Sequence, residues 1–173
     1  MLDMKRALTD LPDAAGLLCW PAEPALQPEA AAALVTAIDK LCQQFEREQR
    51  LSTWAVEVVE DGRFVLLAWQ GVGEGMSGCR KDKLAKILAL HAERSGSRLL
   101  DVPPIWVAPA GRPQGFAPAA LRPLVAAGEV DAQTPAWNTM ANDLGSWRAG
   151  AGCALGSIDW LAFKLQRWQA TVQ

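Results

Sequence analysis

The 173-residue sequence has no tyrosine, one histidine and four widely separated cysteines. The cysteines form no C-x-x-C pair and show no metal-ligand spacing with His91, so we predict no metal site and no cofactor. Lys and Arg total 17 against 19 Asp and Glu, without a basic block, which argues against a nucleic-acid partner. No apolar run could span a bilayer or serve as a signal peptide. We therefore expect a cytoplasmic protein with reduced thiols and no membrane partner.

The remaining composition is that of an ordinary globular protein, with 50% hydrophobic and 21% charged residues. After Pro28, an apolar stripe with helical period predicts a helix that contains Cys42 in its buried face. Two β-rich runs, 52–60 and 63–69, flank Asp61-Gly62, which predicts a hairpin closed by a type I′ turn. The second run is apolar on both faces, so we expect it to be the central strand of its sheet.

The rest of the chain alternates short predicted strands and helices. We predict a helix over 79–95 capped by Gly96, strands at 104–108 and 136–138, a short helix at 119–127, and a final helix after Ser157. Residues 145–156 are predicted to be a loop. The fold class is therefore α+β, with helices packed on an antiparallel sheet built on the hairpin. Its parts are 1–103, 104–150, and a closing helix within 151–173.

A glycine-rich segment, residues 71–79, lies between the hairpin and the helix at 79–95. Gly73-x-Gly75-x-x-Gly78 matches a dinucleotide-binding fingerprint, but the preceding strand belongs to a hairpin and not to a parallel βαβ unit. Gly73 and Gly78 also match half of a Walker A loop. Cys79 and Arg80 occupy the positions where that loop requires Lys and Ser or Thr. Neither nucleotide-binding pattern is therefore complete.

Three interpretations of this segment remain open. The backbone amides of Ser77, Gly78 and Cys79, aided by Arg80, could bind an anion at the helix start. The same position could activate Cys79 as a nucleophile, with Asp82 or Glu74 as its base. Alternatively, the glycines only form a turn that lets the helix pack closely. His91 lies on the apolar face of this helix, and we interpret it as a hydrogen-bonded core residue.

From Trp54 onward, the chain resembles a family of small bacterial proteins of unknown function, sometimes labelled ABC-transporter ATPase-like. That resemblance implies that Cys79 and Asp82 belong to a shared feature, although Arg80-Lys81 replace the pair expected between them. The matching residues are Asp61-Gly62-Arg63-Phe64, Ser77-Gly78-Cys79, Asp82, Leu100-Asp101, Thr134 and Asn138.

A second resemblance covers residues 105–148, which are similar to the bacterial GYF-like domain. It implies a small α+β part that binds proline-rich or other short peptides in an aromatic groove. We expect that groove to be formed by Trp106, Phe116, Trp137 and Trp147; alternatively, these rings only build a small core. The matching residues are Ile105-Trp106-Val107, Gly111, Gly115-Phe116, Leu121, Leu124, Gly128-Glu129-Val130, Thr134, Trp137 and Trp147.

The sequence thus leads to two hypotheses about function. The first is a non-catalytic protein-interaction or adaptor module, whose exposed aromatic surface binds a protein or short peptide. The second is an anion-binding, ligand-binding or thiol-dependent enzyme centred on Gly73–Asp82, with Cys79 and Asp82 as candidate catalytic residues. The first requires an exposed patch of aromatic side chains, and the second requires an accessible Cys79.

Overall fold

The computed structural model describes residues 6–71 and 76–170, and over these residues the protein is α+β, with helices packed on antiparallel sheets. The chain divides into two units. Among the described residues, the first unit takes those up to Val102 together with Asn142–Gly145. The second takes Pro103–Ala141 and the residues from Ser146 onward. None of the helices in the described ranges is long and apolar enough to cross a membrane.

The first unit contains a three-stranded antiparallel sheet in the order β1-β3-β2. Its strands are β1 (Gly16–Pro21), β2 (Leu51–Val59) and β3 (Phe64–Gly71). The prediction that the second arm of the hairpin is central is confirmed, since β3 pairs with both neighbours and residues 64–68 are fully buried. Strand β1 was not predicted, and it pairs with β3 through contacts such as Cys19 with Leu66.

Helices α1 (Pro28–Arg47) and α2 (Gly78–Ser95) contribute to the core of this unit. The predicted stripe on α1 is confirmed, because Leu34, Ile38, Cys42 and Phe45 are all fully buried. They pack with one face of the sheet, which presents Val56, Val65 and Leu67, and with Leu84 and Leu88 of α2. Helix α2 begins within one residue of its predicted start and ends at Gly96, as expected.

The hairpin between β2 and β3 differs from the predicted two-residue turn. Asp61 and Gly62 have positive φ, as a type I′ turn requires, but so does Glu60. Val59 pairs with Phe64, so the connection has four residues and not two. Gly62 cannot be replaced easily, since an added Cβ would lie 2.3 Å from the carbonyl oxygen of Leu26. The conformation of the turn is therefore determined by its contact with Leu26 as well as by its own sequence.

The second unit contains a four-stranded antiparallel sheet in the order β5-β4-β6-β7. Its strands are β4 (Ile105–Val107), β5 (Gln114–Phe116), β6 (Pro135–Trp137) and β7 (Ala151–Ala154). Helices α3 (Pro118–Ala126) and α5 (Asp159–Ala170) pack with this sheet around a core that includes Ile105, Leu121, Ala136, Leu161 and Leu165. A 3₁₀ turn, Leu155–Ser157, precedes α5.

The prediction of a loop at 145–156 is wrong. This segment contains most of helix α4 (Leu144–Gly150), all of β7, and the first two residues of the 3₁₀ turn. Its glycines were interpreted as loop residues, but Gly150 permits close packing: an added Cβ there would lie 2.6 Å from the Cβ of Asn138. The backbone N–H of Asn138 also donates to the Gly150 carbonyl at 2.9 Å, and this bond holds the two residues close together.

Candidate functional site

The glycine-rich segment is described only in part. Gly73, Glu74 and Gly75, which carry the two nucleotide-binding patterns, lie outside the described residues. Ser77 precedes α2, and its carbonyl oxygen accepts hydrogen bonds from the amides of Arg80 and Lys81, both at 3.1 Å. These two amides therefore serve the first turn of the helix and do not point to a ligand.

Cys79 lies on the first turn of α2 and Asp82 follows on the second, and both are exposed. Accessibility of Cys79 is one requirement of the thiol hypothesis. An anion or ligand site would also need a pocket above Ser77, Gly78 and Cys79, and residues 72–75, which precede them in sequence, lie outside the described ranges. The anion-binding and thiol-dependent interpretations therefore stay predictions.

The other cysteines are placed differently from Cys79. Burial raises the pKa of the Cys42 thiol to about 12, with a further contribution from the negative charge of Asp39. Burial also raises the pKa of Cys19 and Cys153. These three thiols are poor candidates for nucleophiles, because the reactive form is the thiolate. Within the described ranges, no group of three or more His, Cys, Asp or Glu residues is arranged to hold a metal ion.

His91 is half-exposed and therefore not the core residue that we predicted. Its pKa is lowered, first by partial desolvation and then by the positive charge of Arg94. The buried residues of α2 are Leu84 and Leu88, so the last turns of the helix, where His91 lies, have no buried position.

The four aromatic residues predicted to bind a peptide lie mostly inside the second unit. Trp106 is 0% exposed, its indole Nε1 donates to the Pro103 carbonyl at 2.8 Å, and its ring covers Gly115 on β5. Trp137 and Trp147 are also buried, and Phe116 is half-buried against the core. These three tryptophans therefore do not form the exposed patch that we expected. A peptide-binding role for the four residues stays a prediction.

An exposed aromatic surface occurs instead on α5, beside α3. It forms a groove of about 690 Å³. We call it the α5 groove, and it is lined by Arg122, Asp159, Trp160, Phe163, Lys164, Arg167 and Trp168. Its volume lies within the range of about 300–1,000 Å³ typical of ligand sites. Three of the lining side chains are aromatic and three are cationic.

The spacing of residues on α5 explains how the groove forms. Leu161 and Leu165, one turn apart, are buried in the core of the second unit. Phe163 lies between them in sequence and hence on another face, where it is 60% exposed. Trp160 and Trp168 are half-buried and pack against the same core. Together they frame the exposed ring of Phe163.

Two contacts orient side chains of the α5 groove. The indole Nε1 of Trp160 donates to the Oδ1 atom of Asn138 at 3.1 Å. The Arg167 guanidinium lies 5.8 Å from the centre of the Phe163 ring, within cation–π range. The first contact fixes Trp160 to the end of β6, and the second places a positive charge beside the most exposed aromatic ring. The groove thus combines apolar area with one oriented cation, Arg167.

The sequence analysis missed this site, although a signal was present. The final helix was predicted, but its residues Trp160, Phe163 and Trp168 were given no role in a site. Trp160 and Phe163 lie three residues apart on the helix and therefore share one side of it. They form an aromatic stripe beside the aliphatic stripe of Leu161 and Leu165. An aromatic stripe in addition to the one needed for the core is the pattern that could have indicated an exposed site.

Comparisons of the chain with family models, with curated proteins and with solved structures give no match. The resemblances to the ABC-transporter ATPase-like proteins and to the GYF-like domain therefore stay predictions. What the protein does must be inferred from the geometry of its own residues.

Proposed function

We propose that this protein is a non-catalytic protein-interaction module that binds a partner segment in the α5 groove. The observation that carries the proposal is the 60% exposure of Phe163 in a groove framed by Trp160 and Trp168. Large aromatic side chains are the commonest anchors of protein interfaces, where burying them in a partner supplies most of the binding energy. All four cysteines are free thiols, which supports a cytoplasmic location as part of the proposal.

Three aromatic rings, two of them held in place by the protein, form a better peptide site than a single exposed ring would. Trp160 is held by Asn138 and Trp168 packs on the core, so their rings have already lost much of their freedom. A partner then loses less entropy on binding, because the site is formed before it arrives. Phe163 is the most exposed of the three rings. A partner that covers the groove would therefore remove the largest fraction of exposed surface from Phe163.

Selection from a displayed library of short random peptides tests the proposal. Peptides selected on the wild-type protein are labelled, and their dissociation constants are measured by fluorescence anisotropy with wild type and with Phe163→Ala. We expect the variant to weaken binding at least about tenfold, as truncation of an interface anchor does. The matched control is Met140→Ala. Met140 is an apolar residue of the same unit that is 69% exposed and lies outside the groove.

The control variant should change the dissociation constant by less than about twofold. Circular dichroism of both variants checks that they fold. If no selected peptide distinguishes Phe163→Ala from wild type, or if Met140→Ala weakens binding equally, the α5 groove is not an interaction site and the proposal is wrong.

A further inference from the structure

We infer that the partner recognised by the α5 groove is an acidic peptide segment that also carries apolar side chains. This inference rests on the proposed function and adds the chemistry of the partner. Its first support is the charge of the groove. Arg122, Lys164 and Arg167 contribute three positive charges, and Asp159 contributes one negative charge. The whole chain, by contrast, has a net charge of −2.

The cations are placed where they can meet a ligand. Arg122 is exposed on α3, and Arg167 is exposed on α5 beside the Phe163 ring. Over residues 6–71 and 76–170, neither Arg122 nor Lys164 forms an ion pair. Carboxylates of a partner could therefore pair with both side chains without first breaking an internal ion pair. Positive charge around an apolar centre is the complement of an acidic segment with a hydrophobic anchor.

Two other classes of anionic partner fit the observations less well. A helix that lies in a membrane surface inserts its apolar face into lipid, whereas α5 buries Leu161 and Leu165 in the protein core. A nucleic acid is usually bound by an extended basic surface, whereas the net charge here is negative and the groove carries three cations. A groove with one strongly exposed ring suits one or two apolar side chains of a peptide.

The composition of the selected peptides and a charge reversal test the inference. We expect peptides that depend on Phe163 to be enriched in Asp and Glu relative to the input library. Arg122→Glu should weaken their binding by about three- to tenfold, because it replaces an attractive charge by a repulsive one. Arg112→Glu makes the same change of charge at another exposed position of the second unit and should have less than about a twofold effect.

A repeated selection on the double variant Arg122→Glu/Lys164→Glu gives a stricter test. If charge determines the partner, this variant should select peptides rich in Lys and Arg. Peptides that depend on Phe163 but show no acidic enrichment, or that bind Arg122→Glu as tightly as wild type, would overturn the inference and leave the proposed function intact.

If no peptide depends on Phe163, both the inference and the proposed function fail. Binding of oligo(dT) and of vesicles containing anionic lipid is measured with the same variants. If either probe binds more tightly than the peptides, and this binding depends on Phe163, the inference of an acidic peptide partner is wrong. The probe that binds then identifies the class of partner that replaces it.

Discussion

Two aromatic regions of the second unit place their rings in opposite environments. On β4, Trp106 is 0% exposed, with its indole N–H bonded to Pro103 and its ring against Gly115. On α5, Phe163 is 60% exposed, and its ring faces the guanidinium of Arg167. The first ring is covered by its own chain, and the second is left exposed.

The difference comes from the residues opposite each ring. Trp106 is paired with Gly115 across two antiparallel strands, and the absence of a side chain on Gly115 makes room for the indole. Phe163 lies on a helix whose neighbouring residues, Leu161 and Leu165, already fill the core. An aromatic residue opposite a glycine in a strand pair therefore indicates packing. An aromatic residue beside a complete apolar stripe indicates a surface.

The largest effect that this comparison predicts is on stability. Trp106→Ala should lower the free energy of unfolding by about 3–5 kcal/mol, because it removes a fully buried ring and leaves a cavity. Phe163→Ala should change it by less than about 0.5 kcal/mol, as expected for an exposed residue. Urea unfolding followed by circular dichroism measures both. Similar losses for the two variants would show that the two regions do not differ as described.

A smaller effect is expected at Gly115. An added Cβ would lie 2.9 Å from the Cζ2 atom of Trp106, closer than such contacts allow, and a fully buried ring has little room to move. Gly115→Ala should therefore lower the free energy of unfolding by about 1–3 kcal/mol, measured by the same method.

The control for Gly115→Ala is Gly78→Ala, because an added Cβ there meets nothing within 4 Å. That substitution, at the start of α2, should be neutral or slightly stabilising, since alanine favours a helix more than glycine does. A neutral Gly115→Ala would mean that the strand glycine does not make room for Trp106.

The parts of the fold that the sequence predicts are those with local signals. Helix α1 has an apolar period, and the hairpin has a turn between two β-rich runs, so both were predicted. Strand β1 was missed because its evidence is non-local: Cys19 pairs with Leu66, far along the chain. Helix α4 and strand β7 were missed because Gly150 was interpreted by its residue type. Its role depends on Asn138, which no local pattern reveals.

The candidate site shows the same limit. The sequence located the start of α2 to within one residue, because helix boundaries have local signals. The exposure of Cys79 was only a requirement of one hypothesis, and the structure supplied it. The sequence could not show that Trp106 is covered by β5, since a three-residue strand such as Gln114–Phe116 has almost no pattern of its own. Nor could it bring Arg122 of α3 beside α5, because that proximity is set by tertiary packing.

The smallest predicted effect concerns Asn138, which links the two regions because it follows the buried Trp137 and bonds the groove residue Trp160. Asn138→Ala removes the acceptor of the Trp160 indole but keeps the Cβ that packs against Gly150. It should lower the free energy of unfolding by about 1 kcal/mol, the typical net contribution of one hydrogen bond, and weaken peptide binding by a fewfold.

Trp160→Phe removes the same bond from the donor side. If the bond is what positions Trp160, the double variant should be less destabilised than the sum of the two single variants, by about 0.5–1 kcal/mol in urea unfolding. Strict additivity would mean that Trp160 is held by packing alone, and that the groove is independent of β6.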